Sequence, residues 1–159
     1  MKILTDEEIK QISEPVIDTP ENLVEVYKVF LQMCQLCSDA GGIGLAAIQV
    51  GLPWRFFVAQ SLDGTYQGYI NCEYTPVGED KELSVEGCLS IKKGGELRFF
   101  EVQRFISVRV TGELLTEDLT KIPLDEILIG LYSTVCQHEI DHSLKILISD
   151  VGQEIHVYQ

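Results

Sequence analysis

The chain has 159 residues, a formal net charge of −13 and 45% hydrophobic residues. That length and apolar content fit one globular domain, 1–159, with a sizeable core, and so acidic a chain repels nucleic acid and anionic membrane, which excludes both as direct partners. Five cysteines, Cys34, Cys37, Cys72, Cys88 and Cys136, are odd in number and irregularly spaced, which argues against a disulfide framework and for a reducing compartment. Met1 to Glu8 turns acidic too early for a signal peptide. No apolar run approaches membrane-spanning length, so the expected location is cytoplasmic.

The first clear element is a helix over 20–38, opened by Pro20 and striped by Leu23, Val26, Tyr27, Phe30, Cys34 and Cys37. Within that stripe the C-x-x-C pair reads as core packing, since a redox pair sits at a helix start. Asp39 to Gly42 ends the helix. Residues 54–60 and 66–72 predict a hairpin around Asp63-Gly64. A loop follows over 75–82, a short strand over 83–91, a turn at Gly94-Gly95, and a strand over 97–111 rich in Val, Ile and Phe. Gly112 to Asp118 reads as a turn and 119–122 as a short strand. Pro123 then precedes a helix over 124–143, and Ile146 to Ile148 is a short strand or helix end. The fold class is α+β, with antiparallel sheets packed around a central metal-binding helix.

That helix carries Gln137-His138-Glu139-Ile140-Asp141-His142, with two of the three histidines of the chain. Spacing i, i+4 stacks both imidazoles on one helix face, where they can grip one ion. Glu139 lies close enough to handle the proton of an activated water. A catalytic site of this type needs a third protein ligand. A third histidine in the pattern H-E-x-x-H-x-x-G-x-x-H is absent, because Lys145 and Ile148 occupy its positions. Downstream, Asp150, Glu154 and His156 remain as candidates. Upstream, Glu86-Gly87-Cys88-Leu89-Ser90 offers Cys88 behind a glycine that admits close backbone approach. A Cys-His-His set suits iron(II), cobalt, nickel or zinc.

Three blocks, Gly42-Ile43-Gly44-Leu45-Ala46-Ala47-Ile48-Gln49, Glu86-Gly87-Cys88-Leu89-Ser90 and Gln137 to His142, resemble the three motifs of the peptide deformylases, in the family's order. Weaker echoes at Pro15-Val16, Ile70-Asn71 and Val102-Gln103-Arg104 extend the resemblance over nearly the whole chain. It departs at Lys92-Lys93-Gly94-Gly95, where relatives commonly have proline, and at a substrate-holding arginine, near which Arg98 lies. It departs again at Ser143 and Lys145, which replace leucine and glycine, and lacks the C-terminal helical extension that many relatives carry.

The resemblance implies removal of the N-formyl group from formyl-methionyl nascent polypeptides. Cys88, His138 and His142 would hold one divalent ion, Fe2+ by family expectation, with Zn2+, Ni2+ or Co2+ as substitutes. Glu139 would act as general base and acid, with the Gln49 amide and the Leu89 N–H facing the oxyanion. Gly42, Ile43 and Gly44 would lie along an extended peptide. Ile43, Leu131, Thr134 and Val135 would form the methionine pocket, and Glu86 would border it while pairing with Arg104. A monomer that meets N-formyl-methionyl peptides without docking on the ribosome is expected. Two other readings stand beside it: a metallopeptidase with Asp150 or Glu154 as third ligand, and a non-catalytic metal- or peptide-binding protein on the same fold.

Overall fold

The computed structural model describes residues 1–156. From the N-terminus its elements are α1 (Asp6–Lys10), α2 (Leu23–Asp39), β1 (Gly44–Ala46), a 3₁₀ turn (Ala47–Val50), β2 (Phe56–Gln60), β3 (Tyr66–Pro76), β4 (Lys81–Lys93), β5 (Glu96–Phe105), β6 (Ser107–Leu115), β7 (Lys121–Ile129), α3 (Gly130–Ser143), α4 (Ile148–Val151) and β8 (Gly152–Ile155). All strand pairings are antiparallel. One sheet runs β1-β2-β3-β6-β7 and the other β4-β5-β8. Helix α3 touches strands of both sheets, so it forms the centre of an α+β fold.

Two apolar clusters hold these layers together. Val26, Met33 and Cys37 of α2 pack on Leu45, Phe56, Val58, Ile70 and Leu115 of the larger sheet. Ile140, Val135 and Cys136 of α3 join Phe57, Phe100, Val102 and Ile148 in the second cluster. Burying each large side chain contributes roughly 1.5–3 kcal/mol. Cys37 is buried and Cys34 half-buried, both as free thiols. Burial pushes them up to about 11 and about 12, as expected of packing residues rather than reactive ones.

Several boundaries differ from the sequence expectation. The helix expected over 20–38 begins at Leu23, because Asn22 caps it by accepting from the Glu25 N–H. The loop over 75–82 shrinks to the turn between Pro76 and Lys81, with both neighbouring strands running into it. The helix over 124–143 begins only at Gly130. Residues 121–129 are strand β7, an edge strand, where Pro123 removes no ladder bond on its open side. Gly130 has φ +61°, a conformation that favours glycine and turns the strand into the helix. The run 97–111 is two strands in different sheets. Gln137 takes both the N–H and the C=O of Phe105, at 3.0 and 2.9 Å, where the chain crosses over. The turn expected at Gly112–Asp118 is confined to the end of that range, since β6 runs to Leu115. Helix α1 was not anticipated, although Thr5 and Glu8 form a capping box.

Lys145 stands where the resemblance expects glycine, and its φ is +57°. Its Nζ donates to the carbonyls of Ile12 and Glu14 at 2.8 Å each, which offsets the backbone strain and ties down the N-terminal segment.

Candidate metal centre and active site

Among the described residues, one group of His, Cys, Asp and Glu can share an ion: Cys88 of β4 with His138 and His142 of α3, whose donor atoms lie within 4.8 Å of one another. Cys88 Sγ is 3.6 Å from His142 Nε2. Donors bound tetrahedrally at about 2.1–2.3 Å sit about 3.5 Å apart, so the set is spaced for one zinc-sized cation. The histidine rings lie 4.9 Å apart at 77°, as one helical turn dictates. His138 Nδ1 pairs with Glu86 at 2.8 Å, leaving Nε2 for an ion, the usual arrangement of a ligating histidine.

The candidates downstream are committed elsewhere. Asp150 accepts from the Leu147 N–H and pairs with Lys10. Glu154 accepts from Nε and Nη2 along one edge of the Arg98 guanidinium. Arg98 therefore does not face the cleft: it alternates with Leu97 and Phe99, which do.

Electrostatics favour a cation at this point. Burial raises Glu86, but Arg104 and then His138 outweigh it and pull the carboxyl down to about 2. Burial would lower His138, yet contacts with Cys88 and Glu86 push it up to about 10. The same negative surroundings that hold a proton there would hold a metal ion instead. His142 is held well below its usual range by burial, then by the charges of His138 and Arg104, so it stays a neutral ligand. Burial pushes Glu139 up to about 7. Its Oε2 is buried without a hydrogen-bond partner, as expected of a carboxylate that faces a ligand.

The glycine block supplies the facing wall. Tyr66 donates to the Gly42 carbonyl at 2.6 Å, and the Gln60 N–H donates to the Ile43 carbonyl at 2.8 Å, fixing that backbone. A Cβ at Gly44 would lie 2.5 Å from Glu139 Oε1. Only glycine lets the strand approach the carboxylate this closely. Gln49 is buried, with Oε1 accepting from the Ala46 N–H at 2.8 Å. Its Nε2 therefore points to Cys88 Sγ at 3.5 Å and Ser90 Oγ at 3.0 Å. The ladder between β4 and β5 shifts register between Gly87 and Lys92, the stretch that carries Cys88 and Leu89. Such irregularities re-aim backbone groups next to active sites.

A cleft of about 260 Å³ opens over the centre. The structure brings Gly42, Ile43, Gly44, Gln49, Glu86, Cys88, Leu89, Leu131, Thr134, Val135, His138 and Glu139 to its lining. It adds Ser84, Val85, Leu97 and Phe99, which the sequence reading missed; Ser84 was recoverable as the residue two before Glu86 on its strand. Behind the lining, Arg104 bridges Glu86 at 2.8 and 2.9 Å and Asp141 at 2.6 Å, and the Tyr74 hydroxyl donates to Asp141 at 3.1 Å. Glu86 thus both borders the cleft and orients His138. Asp141 and Tyr74 gave no sign of this role in sequence, because β3 and β5 bring their partners from far along the chain.

Fold and donor set define a class: a small α+β hydrolase built around a one-cation centre, with a buried glutamate beside it. A family model described as polypeptide deformylase matches residues 1–156. A peptide deformylase from a Bradyrhizobium species is 36% identical over 93% of this chain and 83% of its own length. A probable peptide deformylase from Synechococcus phage S-SSM7 superposes with TM-score 0.79 and 31% identity, covering 95% of this chain and 99% of the phage chain. A peptide deformylase from Synechococcus elongatus in complex with actinonin gives TM-score 0.79 and 28% identity over 96% of this chain and 79% of its own. The chain belongs to the polypeptide deformylase family. Its reaction is hydrolysis of the N-formyl group from nascent peptides.

Proposed function

We propose that Cys88, His138 and His142 hold the ion and that Glu139 moves the proton of deformylation. The observation that carries this reading is the convergence of three ligating atoms with a buried, unpartnered carboxylate oxygen. A bound ion supplies the electrophile that polarises the formyl oxygen and acidifies a water molecule. Glu139 accepts the water proton and passes it to the departing amine. The Gln49 amide and the Leu89 N–H donate to the oxyanion that develops as water adds to the formyl carbon. Gln49 suits this role because Ala46 fixes which end of its amide faces the cleft.

The formylated peptide enters extended between the open edges of β1 and β4, with Gly42, Ile43 and Gly44 along its backbone. The methionine side chain enters the pocket of Ile43, Leu131, Thr134 and Val135, bordered by Glu86. One thiolate and two imidazoles suit Fe2+ as native ion, with Zn2+, Ni2+ or Co2+ able to replace it. We read the protein as a cytoplasmic monomer that meets its substrate by diffusion, its charge of −13 opposing contact with ribosomal RNA. No helix of the described residues is long and apolar enough to cross a membrane.

Glu139→Gln tests the central role. Formate release from formyl-Met-Ala-Ser should fall about 100-fold or more while the ion stays bound. An unchanged rate would mean that another group carries the proton.

A further inference from the structure

The smaller sheet has one covered face and one bare face. Phe100, Val102 and Arg104 point inward and are buried. The alternate residues point outward, and the register sets them side by side: Leu83 opposite Gln103, Val85 opposite Glu101, Gly87 opposite Phe99, and Phe99 opposite Ile155 of β8. Leu83 and Val85 are 60% and 59% exposed. The Phe99 ring and the Leu97 side chain lie against Gly87, where a Cβ would meet them at 3.2 and 3.6 Å. Five apolar side chains, Leu83, Val85, Leu97, Phe99 and Ile155, therefore share an outer sheet face, on which Leu83, Val85 and Leu97 are exposed. A contiguous patch of this kind marks a binding surface.

The patch is continuous with the cleft, since Val85, Gly87, Leu97 and Phe99 line both. Building on the reading of that cleft as the site for the formyl-methionyl end, we propose that this face is an extended subsite for apolar side chains of the same substrate beyond its third residue. From Gly87 to Leu83 the strand covers about 13 Å, the reach of about four extended substrate residues. Glu101 stands on the same face beside Val85, so acidic residues there are disfavoured. The protein thus sorts nascent chains by their fourth and fifth residues as well as by the formyl group, favouring those that are apolar there.

Three peptides test this: formyl-Met-Ala-Ser followed by Leu-Leu, Ser-Ser or Glu-Glu. The Leu-Leu peptide should show kcat/KM about tenfold above Ser-Ser, through KM, because the added contact is made equally in ground and transition states. Glu-Glu should fall below Ser-Ser. In Leu83→Ser the Leu-Leu to Ser-Ser ratio should fall toward one, and Ile155→Thr should lower it as well. Equal kcat/KM for Leu-Leu and Ser-Ser, or a preference that survives both substitutions, would overturn the proposal while leaving the cleft reading intact. Absence of formate release from formyl-Met-Ala itself would overturn both.

Discussion

Gly44→Ala separates the chemistry from the fold. The added methyl would lie 2.5 Å from Glu139 Oε1, 3.0 Å from Cδ and 3.1 Å from Cγ. A comfortable carbon–oxygen contact is about 3.3 Å, so the carboxylate must retreat by about 0.8 Å. Gly44 pairs with Ala59 in a regular ladder and shows no positive φ, so alanine suits the backbone and even favours it slightly. The obstacle is a side-chain end, not main chain, and it can move. Thermal unfolding should therefore stay within a few degrees of the parent, and the ion, held by other residues, should remain at full occupancy. Displacing a proton-transfer group by nearly 1 Å costs about 100-fold in rate. Formate release from formyl-Met-Ala-Ser should drop by that factor, mainly in kcat. A well-folded, metal-loaded Gly44→Ala protein with parental kcat would mean that either Glu139 is not the base or the glycine is not there to admit it.

Three further outcomes are expected. Cys88→Ala should lose ion and activity together, since two imidazoles alone bind weakly; stoichiometric metal by elemental analysis in that variant would remove the cysteine from the ligand set. Gln49→Ala should keep the ion yet cost on the order of 3 kcal/mol in transition-state stabilisation, read from kcat/KM; a loss confined to KM would argue against an oxyanion role. Arg104→Met should destabilise the fold by about 3–5 kcal/mol in denaturant unfolding, because it leaves Glu86 and Asp141 buried with no cation between them.

The centre was legible in the sequence because its signals are short. His138 and His142 need only helical spacing to share a face, and Cys88 and Gln49 sit in blocks of a few residues whose order identified them. Element boundaries failed where two periods coincide. Leu124, Leu128, Leu131 and Val135 satisfy a helical stripe, yet Leu124 and Leu128 also lie on one face of a strand, since every fourth residue serves both patterns. Pro123 looked like a helix start because nothing local says that β7 is an edge. The break at Ile106 was invisible because β5 and β6 are equally rich in β-formers. What divides them is the Gln137 side chain, more than thirty residues on. The bare face of the smaller sheet depends on β8 pairing with β5, a long-range fact that no local pattern carries.

The buried pairing of Arg104 with Glu86 and Asp141 also limits how such a sequence can drift. Removing Arg104 strands two carboxylates away from water, and neutralising Glu86 or Asp141 takes one of two partners from a buried guanidinium, so each single step passes through a weakened protein. Exchange for an apolar trio would require three coordinated replacements, and Glu86 could not take part without releasing His138. Tyr74, at the half-exposed end of the same chain of contacts, is under no such bond, and its loss removes one hydrogen bond. Random mutagenesis with selection for growth should therefore fill position 74 readily while positions 86, 104 and 141 stay nearly empty. Tolerance would follow distance from the arginine rather than distance along the chain.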